Sequence, residues 1–399
     1  MERTVEVTGE RFFFRWRGRE ESRELVYDYK KCVGCGICVY ACPANAIELN
    51  PVHDIALGLD MPPVTVDHTS CVFCGICFSL CPVKAFEFRV DGMDVRREFC
   101  PVWLAGRVEK TDACVNCAVC YRTCPTEAVV RRVKLRREDV PVRNEGIEGE
   151  IRIDEEKCRL CGICVEFCQA FKPIEGEERP FERIIVDEEV CDYCELCVDV
   201  CPNGAIEVRG RRVVEGKVEN VAEVSFEDSK CIYCGICAKL CPYDGVRVEK
   251  GIEGKVVVYE ALLQSKCDPV GCKACEIVCP TGACRVRGGR VEVDEETCIH
   301  CGACENACDR DLIIVRRLLR VEKNETPWTG GWMKAVERVI WRKLAKVFRE
   351  ERREEIVEEV KFEPKRAEVD ERLLKKLEEI ERSLRKPGFR RRIELKKPS

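Results

Sequence analysis

One pattern, Cys-x2-Cys-x2-Cys-x3-Cys, recurs so often along this chain that it leaves little freedom in what the chain can become. It stands at Cys32, Cys35, Cys38, Cys42 and at Cys71, Cys74, Cys77, Cys81. It returns at Cys114, Cys117, Cys120, Cys124 and at Cys158, Cys161, Cys164, Cys168. Further copies are Cys191, Cys194, Cys197, Cys201 and Cys231, Cys234, Cys237, Cys241. The seventh, Cys267, Cys272, Cys275, Cys279, has four residues rather than two in its first gap, and the eighth is Cys298, Cys301, Cys304, Cys308. Eight quartets take 32 of the 34 cysteines.

Disulfides, zinc and iron–sulfur ligation compete for such a cysteine load. Disulfide frameworks belong mainly to short secreted chains. Residues 1–20 carry Arg11, Arg15 and Arg17 among their aromatics, with no signal-peptide-like apolar run, and no segment reaches the ~18–20 apolar residues of a membrane span. A cytoplasmic setting with reduced thiols is expected. Zinc sites usually split their ligands into two separated pairs. Four cysteines in one run suit a [4Fe–4S] cubane: the two-residue gaps let a tight loop place three thiolates on three irons. The fourth cysteine, usually followed by Pro, is expected to open a short helix, and in two-cluster ferredoxins it ligates the other cluster. About eight [4Fe–4S] clusters are expected.

The charged residues, 35% of the chain, nearly cancel to −5. That balance argues against a nucleic-acid partner. An oxidised cubane with four thiolates carries about −2, so eight would take the total to roughly −21, which Lys and Arg could offset. Few glutamines and methionines beside many ion-pairing residues fit a hyperthermophile.

The fifth residue past the last cysteine is apolar in six copies (Ile47, Phe86, Val129, Ile206, Val246, Ile313) and should open a strand. Val64–Asp67, Ile151–Asp154 and Val291–Asp294 should lead into the next quartet, and Gly288-Gly289 should turn a hairpin. The fold class is α+β: four tandem bacterial-type two-[4Fe–4S] ferredoxin modules with a C-terminal helical extension, the clusters serving as the core. Adjacent pairing divides the chain into an N-terminal segment 1–24, modules 25–99, 100–184, 185–257 and 258–322, and a charged helical extension 323–399. In the first module Cys32, Cys35, Cys38 and Cys81 would hold one cluster, and Cys71, Cys74, Cys77 and Cys42 the other. A nested arrangement stays open, because the fourth and fifth quartets start only 33 residues apart; the third would then pair with the sixth around them.

Several residues depart from the pattern. Cys284 fills a strand slot and reads as a small buried hydrophobe; Cys100 reads as a core or free thiol. Gln169 and Asp309 replace the usual Pro, and Pro173 should make the fourth copy irregular. Gly follows the second cysteine in five copies (Gly36, Gly75, Gly162, Gly235, Gly302), where backbone must approach a cluster, but Ala118, Glu195 and Lys273 stand in the others. Glu195 would lower, and Lys273 raise, the potential of its cluster. His53, His68 and His300 read as surface or loop residues. In the tail, Trp332, Val336, Val339, Ile340, Leu344 and Val347 predict one amphipathic helix, and Leu373, Leu377, Ile380 and Leu384 a second, suited to docking on a partner. No nucleotide loop, radical-enzyme cysteine triplet, nucleophile elbow or acid–base pair appears, so no catalytic residues are expected.

The chain also resembles a known family. Leu25-Val26-Tyr27-Asp28, the run Cys42-Pro43-Ala44-Asn45-Ala46-Ile47-Glu48-Leu49-Asn50-Pro51 with Ala56-Leu57-Gly58, Cys279-Pro280-Thr281-Gly282-Ala283-Cys284, the final quartet, and Pro327-Trp328 are similar to the polyferredoxin subunits of tungsten-type formylmethanofuran dehydrogenase from methanogenic archaea. The likeness covers most of Leu25 to Trp341. It implies an electron wire, not itself an enzyme, beside catalytic and other subunits of a redox complex of methanogenesis. A ferredoxin or heterodisulfide reductase-type donor would feed it. A hydrogenase-associated polyferredoxin and a cluster reservoir are the alternatives.

Overall fold

A computed structural model describes residues 2–140, 148–210, 212, 214, 216–259, 267–268 and 271–350, the last ten for backbone only. Eight short helices follow one rule. Ile37–Ala41, Ile76–Ser79, Val119–Thr123, Ile163–Phe167, Leu196–Val200, Ile236–Lys239, Ala274–Ile277 and Ala303–Ala307 all start two residues after a quartet's second cysteine and carry its third. The fourth cysteine therefore does not open the helix, as its Pro suggested, but closes or follows it. Cys42, Cys124, Cys168, Cys201 and Cys308 are C-caps in extended conformation. At Cys42, Cys124 and Cys201 a Pro follows and disfavours helical backbone at the residue before it, so the same proline that reads as a helix start favours a helix end.

The strand register is as the spacing predicts. Strands open at Ile47, Phe86, Val129, Ile206, Val246 and Ile313, and at Cys284 as well. In the fourth copy the strand Phe171–Ile174 starts two residues early and contains Pro173. The proline is tolerated because this strand pairs with a single neighbour, Arg183–Val186, leaving one side of its ladder free of donors to satisfy.

The ladders decide how quartets combine. Strand Arg107–Lys110, leading into the third quartet, pairs with Val246–Glu249, which follows the sixth. Val129–Val133, after the third, pairs with Ala222–Phe226, before the sixth. Inside this frame Glu150–Ile153 pairs with Ile206–Arg209, and Phe171–Ile174 with Arg183–Val186, closing the fourth and fifth quartets on each other. The middle of the chain is nested, and the boundaries 100–184 and 185–257 of a tandem arrangement do not hold. The physical reason is loop closure. A compact unit can be inserted into a hairpin connection wherever its own ends, here Glu150 and Arg209, are partners in one ladder.

The outer modules pair adjacently. Val64–Val66 joins Ile47–Leu49, and Phe86–Val90 joins Ser22–Asp28. Residues 1–24 are not a separate segment: Glu2–Thr8 and Arg11–Arg17 extend this sheet to five strands, and Phe12, Tyr27 and Phe86 stack across it. At the other end Ile252–Val258 pairs with Ile313–Leu319, and Cys284–Arg287 turns through Gly288-Gly289 into Arg290–Val293.

The extension begins by folding back. Val321–Lys323 pairs with Val102–Leu104, and helix Thr329–Glu350 buries Ala335, Val336, Val339 and Ile340. Arg338 Nη2 donates to the Ala41 carbonyl at 3.2 Å, so the first turns of this helix lie against the first module. Val339→Asp would bury an unpaired carboxylate, at a cost of about 3 kcal/mol or more. We expect limited proteolysis to cut between residues 325 and 340 in that variant and not in the parent. The second predicted helix lies outside the described residues. Among the described residues, no helix is long and apolar enough to cross a membrane.

Candidate metal centres

Each quartet's loop turns through left-handed backbone, which lets amides point inward. The residue before the second cysteine has positive φ in seven copies (Gly34, Phe73, Asn116, Leu160, Tyr193, Tyr233, His300). The result is a nest of N–H groups around sulfur. Phe73, Tyr233 and His300 donate to the Sγ of Cys71, Cys231 and Cys298, each at 3.4 Å. Four residues past the last cysteine, Ala46, Ala85, Ala128, Ala205, Gly245 and Leu312 donate to the Sγ of Cys42, Cys81, Cys124, Cys201, Cys241 and Cys308 at 3.2–3.3 Å. Donors aimed at sulfur favour the thiolate a metal needs.

The position after the second cysteine is left-handed at Gly36, Gly75, Gly162, Gly235 and Gly302, and Glu195 and Lys273 are forced into the same conformation. Ala118 is not; its helical backbone instead lets its N–H donate to the Cys161 carbonyl at 3.1 Å, tying the third quartet to the fourth. At Gly162 a Cβ would stand 2.3 Å from the Phe181 ring. Gly162→Ala, strained in backbone and overpacked, should cost about 2–4 kcal/mol. We expect its cluster absorbance to bleach at lower temperature than the parent's.

The folded chain gathers sulfur into eight foursomes, each made of three cysteines of one quartet and the fourth of its partner. Cys38 lies with Cys35, Cys32 and Cys81; Cys77 with Cys74, Cys71 and Cys42. Cys120 lies with Cys114 and Cys241, and Cys117 with Cys120 and Cys241. Cys237 lies with Cys234, Cys231 and Cys124. In the inserted module Cys164 meets Cys161, Cys158 and Cys201, and Cys197 meets Cys194, Cys191 and Cys168. Cys267 joins Cys275, Cys272 and Cys308; Cys301 joins Cys304 and Cys279, as does Cys298. Several foursomes line apolar cavities, as Cys158, Cys161, Cys164 and Cys201 do with Ile153, Ile184 and Ile206. Burial, and then the neighbouring sulfurs, drives two of the foursome thiols well up, Cys120 to about 11 and Cys298 to about 12. Four buried or half-buried sulfurs converging beside inward N–H groups fit a cubane cluster, whose iron would supply the positive charge that their surroundings lack.

The foursomes, named here by their first cysteine, adjoin across modules. Cys117 of the Cys114 site faces Cys161 of the Cys158 site. Cys301 of the Cys298 site faces Cys35 of the Cys32 site. Lys84 lies near both Cys231 and Cys81, and Lys250 near both Cys298 and Cys234. The sites thus form a branched line. The Cys191, Cys158, Cys114 and Cys231 sites lead to a junction with the Cys32 and Cys298 sites, beyond which lie the Cys71 and Cys267 sites.

The remaining candidates divide. Cys284, 2% exposed, is buried as its strand slot implies, but its thiol touches Cys275 and Cys304, between two foursomes. Cys100 belongs to no foursome; its thiol is buried and pushed up to about 12, an unreactive state. Two histidines are not mere loop residues. His53 Nε2 lies 3.6 Å from Cys272 Sγ, and His300 is buried with Nε2 2.7 Å from Glu295. Glu295, Cys298 and His300 cluster closely enough for a metal, but Cys298 is already in a foursome. Arg137, not singled out by the sequence, donates from Nε to Cys194 Sγ at 3.1 Å; no spacing rule marks it, because it comes from a loop outside the quartet. Tyr27 packs its hydroxyl against Cys32 and accepts from the Val64 N–H at 3.3 Å. Lys273 is exposed, whereas Glu195 lines the cavity of the Cys191 site.

The same quartets mark known proteins. Profiles of the 4Fe-4S dicluster domain match residues 31–85, 190–245 and 262–312, and those of a 4Fe-4S binding domain match 111–127 and 155–170. The 190–245 match spans the fifth and sixth quartets, which the ladders put in different modules. A profile reads consecutive sequence and the ladders read space, so the ladders carry the pairing. Over 41 residues, 10% of this chain and 12% of the relative, the chain is 51% identical to polyferredoxin protein FwdF of Methanocaldococcus jannaschii. It is 47% identical over 47 residues, 12% of this chain and 18% of the relative, to a subunit of the ion-translocating oxidoreductase complex of Methanosarcina acetivorans. It is 37% identical over 79 residues, 18% of this chain and 42% of the relative, to an iron-sulfur protein of Rhodospirillum rubrum. The chain thus matches less than half the length of each of these relatives. A chain of the formate dehydrogenase–heterodisulfide reductase–formylmethanofuran dehydrogenase complex from Methanospirillum hungatei shares the fold: TM-score 0.57 at 24% identity, over 85% of this chain and 91% of that one.

Proposed function

This chain is a polyferredoxin, a series of 4Fe–4S ferredoxin domains holding several [4Fe–4S] clusters, and from that premise we propose that it is the electron-relay subunit of a formylmethanofuran dehydrogenase-type complex. Each foursome ligates one cluster, eight in all, with the fourth cysteine exchanged between paired quartets. The bound clusters take up and release single electrons. The chain's own residues do the rest: they hold neighbouring sites together, exclude water, and set local charge through buried cations and N–H donors.

The observation that carries this reading is the continuity of the foursomes. Eight sulfur sites adjoin one another in a branched line with three outer ends, at the Cys71, Cys191 and Cys267 sites, and a conduit needs such ends for donors and acceptors. A ferredoxin or a heterodisulfide reductase-type protein delivers electrons at one end. A catalytic subunit that reduces CO2 receives them at another, and this chain turns over no substrate itself. Fold likeness to a chain of such a complex, and local likeness to a polyferredoxin, support the assignment.

Anaerobic affinity purification of the tagged chain from its host tests it. Co-purification of a tungsten or molybdenum pterin protein, with clusters that reduce and reoxidise together, is expected. Recovery of a hydrogenase instead, or of a chain whose clusters exchange no electrons, refutes it.

A further inference from the structure

At the branch point three modules meet, and in the gaps lie three cations that, among the described residues, form no ion pair closer than 4.0 Å, although Glu295 and Asp294 face Lys250 at longer range. Lys84, 9% exposed, comes from the first module; its Nζ donates to the Asp228 carbonyl at 2.9 Å and stands over the Tyr233 ring, in the frame of the nested pair. Lys250, from the strand end after the sixth quartet, donates from Nζ to the Cys298 carbonyl at 2.8 Å and the Glu295 carbonyl at 3.0 Å. Arg317, 8% exposed, comes from the strand after the eighth quartet and reaches the Cys35 carbonyl at 3.5 Å from both terminal nitrogens. Each cation therefore joins two different modules.

Each also faces sulfurs of two different sites. Lys84 faces Cys231 and Cys81, Lys250 faces Cys298 and Cys234, and Arg317 faces Cys35 and Cys301. Together they close a triangle around the Cys32, Cys231 and Cys298 sites. Their hydrogen bonds go to backbone carbonyls, which accept without cancelling charge. The Arg317 Nε, buried, has no hydrogen-bond partner among the described residues, and the nearest carboxylate to Lys84 is Asp228 at 4.0 Å, itself largely exposed. Elsewhere the pattern differs: Arg131, near Cys117 and Cys120, is paired with Glu166. Burial, and then Arg97, pulls the Lys84 ammonium down to about 7 against the upward pull of Asp228, Cys231 and Cys81, to which negative clusters would add.

We propose that Lys84, Lys250 and Arg317 are positioning residues that raise the potentials of the three junction clusters, so that electrons from any arm collect at the branch point. A bound cluster becomes more negative on reduction, and an uncompensated cation in low-dielectric surroundings stabilises the reduced form. Because each cation is shared by two sites, it also screens the repulsion that would oppose reducing neighbours together.

This inference rests on the reading that the foursomes bind clusters, and its test separates the two. Lys84→Met, Lys250→Met and Arg317→Met are prepared anaerobically as full chains, assayed for iron, and titrated by potentiometry with electron paramagnetic resonance. Arg209→Met, at a largely exposed site, is the control. Iron far below about 32 per parent chain defeats the cluster reading itself. With full iron, two clusters should move to lower potential in each variant. At the potential that half-reduces them in the parent, their reduced-to-oxidised ratio should fall about threefold or more. Full iron with midpoints superposed on the parent's overturns the proposal. Should a Met variant assemble poorly, the charge-retaining Lys84→Arg and Lys250→Arg decide. Full clusters at parental midpoints support a requirement for charge, and the same loss in both shows packing alone and overturns it.

Discussion

Excision of residues 150–209, with the ends joined by a short Gly-Ser linker, should leave a chain that binds about 24 irons, six clusters' worth. Glu150 and Arg209 are ladder partners, so their backbones lie about 5.5 Å apart and a few residues span the cut. The frame around the insertion keeps both its ladders, Arg107–Lys110 with Val246–Glu249 and Val129–Val133 with Ala222–Phe226. Its two foursomes draw only on Cys114, Cys117, Cys120, Cys124, Cys231, Cys234, Cys237 and Cys241, all outside the excised segment. A tandem arrangement gives a different number: removing the fourth and fifth quartets would leave the third and sixth without partners, and iron would fall to about 16. Iron and sulfide analysis of the anaerobic, gel-filtered product distinguishes the two.

Exhaustive anaerobic chelation should abolish the cooperative thermal transition of the whole cysteine-bearing region. The inserted module shows why. Its inner cluster of buried side chains is Ile151, Cys164, Phe171, Ile184, Cys197 and Ile206, two of them sulfur ligands of the foursomes. Helices of four or five residues cannot persist alone, and two-stranded ladders are marginal in water. Cluster binding is then folding free energy, as in other small metal-built domains. Acid should act in the same direction. Burial holds Cys120 and Cys231 up near 11, and Cys32, Cys117 and Cys298 near 12, so protons compete with iron for these sulfurs throughout the neutral range. Each unit of falling pH favours the protonated thiol about tenfold, and visible absorbance should bleach progressively on acidification. A chelated chain that retained a sharp transition would show that apolar packing alone specifies the fold.

The repeat was legible residue by residue. Cysteine spacing marked the sulfurs that the fold gathers into foursomes, and the fifth position past nearly every quartet marked where a strand begins, because both are local: a tight cysteine loop and a pleat of period two need only neighbours in sequence. The reading of Pro43 and its counterparts was local too, yet inverted, since proline restrains the residue before it as well as its own backbone.

The alphabet of this protein lies in its sequence: thirty-two cysteines whose gaps admit cubane loops, with a strand at a fixed offset after nearly every loop. Tertiary structure alone decided which loops become partners, that the N-terminal hairpin completes a sheet, that Cys284 comes between two sites, and that Lys84, Lys250 and Arg317 converge at one junction. Pairing is settled by ladders between strands more than a hundred residues apart, such as Arg107–Lys110 with Val246–Glu249. Adjacent and nested closure satisfy the same local rules, because the entropy of closing a loop grows only with the logarithm of its length.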